Sequence, residues 1–395
     1  MMMWQRVLTT GVVLLVATVA VAADEAKPEA SNPYAQWKNG PPKDASFFPI
    51  AVWCQDPANA AKFKNAGINV YMALWKGPTE ADLATLKKAG VLLICDQNAV
   101  GLAHKNDPTI IGWMHGDEPD NAQEVPGGKG YGPPILPAKI IAGYEAAVKA
   151  DPTRPVLLNL GRSVAWNGFP DRGVRSEHDE DYAEYAKGSD IVSFDVYPVS
   201  NVEKPAVKGQ LNLVAHGVEN LIKWTEGHKI VWNVIECTAI NGAGKATPKQ
   251  VKAEVWMSLV SGSQGITYFV HQFKPTFDEH ALLDDPPMLT AVTALNKQIH
   301  ELAPALNSPT VKDAVKVECS NKEVPVAAMV KKEGGATYVF AVAMKAGETE
   351  ATFGLEGLPA GAQVEVLGEN RKIEPAEGKF KDRFSNWDVH LYRIK

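Results

Sequence analysis

Residues 47–75 read FFPIAVWCQ (47–55), DPANAAKFKNAG (56–67), INVYMALW (68–75), and this stretch decides the fold. A short apolar run rich in β-branched and aromatic residues is followed by a segment of helical period, a glycine break, and a second apolar run. That is a strand, a helix and another strand. Downstream the unit repeats. TEADLATLKKAG (79–90) is a helix with Thr79 as N-cap and Gly90 as stop, and VLLICDQ (91–97) is the third strand, followed by a short helix around 98–106. TIIGWMH (109–115) is the fourth strand. The Gly- and Pro-rich segment after it, up to Pro137, reads as a long loop. A helix over 138–150, strand VLLNLG (156–161), a helix near 180–188, strand IVSFDVYPV (191–199) and a helix over 211–227 follow. Strand IVWNVIECT (230–238), a helix over 248–262, strand GITYFVHQF (265–273) and a helix near 287–303 complete the series.

Strand and helix thus alternate about eight times, and near-continuous apolar strands indicate a parallel sheet covered on both faces. The expected fold class is α/β, a (β/α)8 TIM barrel over 47–309. An open doubly wound sheet is the alternative, but no Gly-rich phosphate turn follows the first strand. Beyond Pro309 the pattern becomes alternating. ATYVFAVAM (336–344), EATFGLEGL (350–358), AQVEVLG (362–368) and WDVHLYRIK (387–395) predict a small C-terminal antiparallel β-sandwich over 310–395.

Upstream, Arg6 precedes an apolar run from Val7 to Val21 and small residues around Ala22, the pattern of a cleavable signal peptide over 1–22. An N-terminal extension over 23–46 would follow. The expected location is secreted or periplasmic, with no membrane span. The chain has 395 residues, a hydrophobic fraction of 45% and a net charge of −6, and so offers no basic field for nucleic acid. Four cysteines, Cys54, Cys95, Cys237 and Cys319, are too few to build the fold, and whether they pair stays open. The sequence does not give the oligomeric state.

A barrel of this kind places its chemistry where the strands end at the C-terminal face. Two such positions carry glutamate: Glu118 in GWMHGDEPD and Glu236 in VWNVIECTA. Paired carboxylates are what glycosidic cleavage needs, one to protonate the departing oxygen and one to stabilise or attack the oxocarbenium-like carbon. Trp53, Trp75, Trp166 and Phe273 are candidates for stacking on sugar rings, and Gln97, His115, Asn159, His271 and Gln272 for binding hydroxyls. No HExxH, paired CxxC, EF-hand loop or GxSxG elbow occurs, so neither a metal nor a cofactor is expected, and a serine hydrolase is disfavoured.

On Glu118, Glu236 and the surrounding barrel, the chain resembles the clan A glycoside hydrolases over roughly residues 47–305. The resemblance implies a retaining enzyme acting on a β-linked poly- or oligosaccharide, with Glu118 as acid/base and Glu236 as nucleophile. It also implies that Tyr197 donates a hydrogen bond to the nucleophile, with Asp195 on the same strand face as support. Many members have Asn where this chain has Asp117. The alternative reading is an exported carbohydrate-binding barrel without turnover.

Overall fold

The computed structural model describes residues 32–166, 168–200, 207–242, 244–358 and 361–395; the expected signal peptide lies outside them. Strands β1 (Ile50–Trp53), β2 (Val70–Met72), β3 (Leu92–Cys95), β4 (Ile110–Met114), β5 (Val156–Leu160) and β6 (Ile191–Phe194) are short and buried along most of their length. The seventh barrel strand is broken into β7 (Ile230–Val231) and β8 (Asn233–Glu236), and β9 (Ile266–Phe269) is the last. All pair in parallel in the order β7-β6-β5-β4-β3-β2-β1-β9-β8, and an isolated bridge from Asp195 to Val234 joins the ends, closing the barrel.

The helices α1 (Ala60–Asn65), α2 (Glu80–Ala89), α3 (Ala99–Ala103), α4 (Pro137–Ala150), α5 (Asp181–Tyr185), α6 (Leu213–Trp224), α7 (Pro248–Val260) and α8 (Pro286–Asn307) follow their strands. Local chemistry sets their ends. Thr79 and Asp82 form a capping box at the start of α2, and Gly90 closes it in the left-handed region at φ 67°. Several elements are shorter than the periodicity predicts, notably the sixth strand, which ends at Phe194, and the fifth helix, which finishes as a 3-10 turn over Ala186–Gly188.

Strand alternation sorts the side chains into two cores. Ala51, Val70, Met72, Ile94, Leu157, Ile191, Ile230 and Trp232 fill the barrel, whereas Val52, Tyr71, Leu93, Trp113, Leu158, Val192 and Tyr268 face the helices. The break in the seventh strand falls at Trp232, whose ring lies so near Gly265 that a Cβ there would sit 2.5 Å from it. Its indole donates to the Tyr34 hydroxyl at 2.9 Å. Tyr34 and Trp37, from the segment before β1, thereby close the N-terminal end of the barrel.

The C-terminal region is two antiparallel sheets. One is β10 (Val315–Cys319), β13 (Thr349–Leu355) and β16 (Lys379–Phe384); the other is β11 (Val326–Glu333), β12 (Ala336–Ala343), β17 (Val389–Ile394), β14 (Val364–Val366) and β15 (Arg371–Ile373). They enclose Val339, Phe353, Phe380 and Tyr392. The larger sheet also packs Phe340 against Trp256 of α7, with ring centroids 5.2 Å apart, so it shares a core with the barrel's helices. All four cysteines are free thiols, three of them buried.

Candidate active site

Asp117 and Glu118 follow β4. The Glu118 amide donates to the Asn159 carbonyl at 3.1 Å, tying this turn to β5, and Glu118 itself takes a left-handed φ of 41°. For a residue with a side chain that conformation is strained, and neighbouring contacts must hold it. Cys54 and Ala73, after β1 and β2, are also left-handed, at φ 43° and 68°.

The structure brings Asp195 to the same place. Asp195 is buried, and desolvation first, then the charge of Glu118, hold its carboxyl well above the usual range. That shift favours its protonated form, the form that can donate to Glu118. Tyr197 in turn donates to Asp195. Asn159 Nδ2 donates to Asp117 at 2.9 Å and approaches Asp195 at 3.4 Å, while its Oδ1 accepts from Ser193 at 2.7 Å. Asp117 opens to solvent within a recess. Desolvation by the recess walls, followed by the charge of Glu118, raises its carboxyl to about 7. Three carboxyl groups from the ends of two strands are thus crowded into one place.

Glu236 is placed differently. Its parity on β8 points inward, as predicted, but the side chain is fully buried and both oxygens are taken: Val199 N–H donates to Oε1 at 2.7 Å and Ser200 N–H to Oε2 at 2.6 Å. Glu254, buried on α7, faces Glu236 with neither of its oxygens hydrogen-bonded, and burial followed by the charge of Glu236 raises its carboxyl well above the usual range. The structure therefore does not bring Glu236 to the mouth. Tyr197 also departs from expectation, since its hydroxyl serves Asp195. The reason is tertiary: the segment after β6 folds over the tip of β8 and captures its carboxylate.

The hydroxyl-binding candidates divide. Asn159 belongs to the carboxyl cluster. His115 faces the helix layer, where its Nε2 meets the Gly188 carbonyl at 2.9 Å, and Gln97 donates to the Ala147 carbonyl at 3.0 Å; both are committed to packing. His271 is buried, with Nε2 3.1 Å from the Cys54 carbonyl. Gln272 exchanges backbone hydrogen bonds with Asp278, both 2.8 Å. Among the stacking candidates, Trp53 packs against the barrel interior and Trp166 lies against Phe169 at 4.5 Å. Trp75 and Phe273 are exposed, 57% and 44%, and so are free to meet a ligand.

Residues the sequence reading did not single out complete the setting. Asp120, fully buried, accepts from Gly161 N–H and from the Tyr182 hydroxyl, each at 2.9 Å, and fixes the turn that carries Glu118. Its signal was present in the acidic run GDEPD. Glu254 was detectable too, since it lies among Val251, Val255 and Ser258 on the buried face of α7. Asp96 and Glu279 add negative charge around the mouth: burial, then Glu279, Asp117 and Asp96, push the Cys54 thiol up to about 12. Asp278, His280 and Asp284 bring ligand-type atoms within 4.8 Å of one another, and His280 faces both acids at 3.2 and 3.6 Å, so the group is accounted for by ion pairing.

The fold has solved counterparts. A candidate alpha-galactosidase/melibiase of Bacteroides fragilis NCTC 9343 superimposes with a TM-score of 0.54 at 10% identity, covering 89% of this chain and 80% of that one. A second candidate alpha-galactosidase of the same organism gives 0.51 at 8% identity over 89% and 79%. An alpha-amylase of Geobacillus thermoleovorans gives 0.47 at 12% identity over 90% and 99%. At such identities the likeness is one of fold, a barrel followed by a β-domain. No family model matches the chain, and no curated protein does.

Proposed function

We propose that this protein is an exported retaining glycoside hydrolase whose carboxyl chemistry lies on the ends of β4 and β6. The carrying observation is the convergence of Asp117, Glu118 and Asp195, linked through Asn159, at the end of a barrel where such enzymes work. Cleavage needs a carboxyl that is still protonated near neutral pH and a second one close by. The Glu118–Asp195 couple supplies the proton for the departing oxygen. Asp117 is the facing carboxylate that stabilises or attacks the anomeric carbon. One Asn159 nitrogen reaches both Asp117 and Asp195, so the carboxyl groups of the two strand ends are held side by side.

This assignment moves the nucleophile from Glu236 to Asp117, because Glu236 has both oxygens occupied. A specific observation also favours the non-catalytic carbohydrate-binding reading: the mouth lacks the carboxylate expected from β8. A panel of polysaccharides, assayed by reducing-end release, separates these readings. Glu118→Gln and Asp195→Asn should lower kcat by about 10²–10⁴, whereas Glu236→Gln, if folded, should stay within about fivefold of wild type, an effect below 1 kcal/mol. Azide should restore turnover to Asp117→Ala and not to Glu236→Ala. Rescue of Glu236→Ala instead returns the nucleophile to β8; negligible turnover by every protein, wild type included, leaves the binding reading.

A further inference from the structure

Three large aromatic side chains stand exposed together at the rim: Trp75 after β2, and Phe273 and Phe277 after β9, at 57%, 44% and 53% exposure. Phe277 and Phe273 have ring centroids 5.8 Å apart, and Phe277 and Trp75 6.4 Å. Such rings in water cost solvation free energy, and a contiguous exposed apolar patch of this kind marks a binding surface. Here they are also held rigidly. The paired hydrogen bonds between Gln272 and Asp278 close a hairpin that sets Phe273 and Phe277 side by side. Glu279 Oε1 accepts the Trp75 indole N–H at 3.1 Å and is itself fixed by the Asp56 N–H at 2.6 Å. Ring contacts lead inward from this shelf. Phe273 lies 6.1 Å from Phe269, and Phe269 lies 5.1 Å from Tyr197, which donates to Asp195.

We infer that Trp75, Phe277 and Phe273 form a shelf that takes the C–H faces of successive units of an uncharged polysaccharide, and leads it to the carboxyl cluster. The inference rests on the proposed hydrolase reading for the cluster and extends it to the kind of substrate. An aromatic face binds the apolar side of a pyranose, and several rings in contact bind several units, so the substrate is a chain rather than a single sugar. The charge around the site selects against polyuronates. Asp96, Asp117, Glu118 and Glu279 line the mouth, and the nearby Arg162 is ion-paired with Asp171 at 2.8 Å. The exposed Lys76 and Lys274 stand at the outer rim and leave the acids in excess. Like charges brought into this recess repel.

The experiment compares wild type with a Phe273→Ala/Phe277→Ala double variant. Gel retardation is measured in neutral glucan, xylan and mannan and in polygalacturonate, and kcat/KM on the retarding polymer and on the matching 4-nitrophenyl monoglycoside. Wild type should be retarded by a neutral polymer and not by polygalacturonate. The double variant should lose the retardation, with kcat/KM falling about tenfold further on polymer than on the aryl glycoside. Equal losses on both substrates, unaltered retardation, or preferential retardation by polygalacturonate would overturn the shelf. If no substrate is cleaved but neutral polymer still retards wild type and not the variant, the hydrolase reading fails and the shelf stands. Absence of both cleavage and retardation removes both.

Discussion

Replacing Asp120 with Asn tests the electrostatics of the turn that carries Glu118. Asp120 is fully buried, and burial raises its carboxyl from the ordinary 3.8 to about 6, against the opposing effect of the Gly161 N–H. A folded-state pKa above the unfolded one means that the native state holds the proton more tightly. The resulting stabilisation is complete below 3.8 and is lost as pH rises through about 6. A shift of about two units is worth about 3 kcal/mol at roughly 1.36 kcal/mol per unit. Asp120→Asn abolishes the ionisation and keeps an acceptor for one of the two donors. Its constant cost does not depend on pH, so the difference in stability between variant and wild type should move by about 3 kcal/mol in favour of Asn from about pH 4 to 7.5. Guanidinium denaturation followed by tryptophan fluorescence, repeated across that range, measures it. A flat difference profile, or one of opposite slope, would refute the reasoning. It would mean that Arg172, which donates to the Asp120 carbonyl at 3.3 Å, offsets the burial of the carboxylate.

The Glu236–Glu254 couple should behave similarly. Burial holds the Glu254 carboxyl well above 4.5, so its contribution is full below that value and is lost as pH rises through the folded pKa. Glu254→Gln, which cannot ionise, should gain stability over wild type at alkaline pH. Glu254→Ala should lose about 2–4 kcal/mol at pH 5 by denaturant titration, through the cavity it leaves. Gly217→Ala, on α6, would place a Cβ 2.3 Å from the Phe194 ring and should cost about 3 kcal/mol, read as a lower denaturation midpoint with the slope unchanged.

The barrel was legible because it is written locally. Runs such as IAVW and VLLNL are apolar throughout since both faces are covered, and caps such as Thr79 and Gly90 act within a single turn of chain. The site was legible only to the level of the strand. GDEPD located the acidic turn after β4, and the alternation of the sixth strand pointed to Asp195 and Tyr197, although the strand ends at Phe194 and whom they serve depends on neighbours far along the chain. Glu236 illustrates the limit: strand parity points it inward, but Val199, Ser200 and Glu254 decide that its carboxylate is spent on structure. The loop after β9 was opaque for a related reason. Nothing in its local pattern says that Phe277 will be left in solvent beside Trp75, two hundred residues earlier in the chain.

Tyr34 and Trp37, packed beneath Trp232, plug one end of a barrel whose interior is solid with side chains. The lower end of the barrel is thereby given over to packing, with Met72, Ile94 and Leu157 in the same core, and every side chain of the carboxyl cluster belongs to the opposite end.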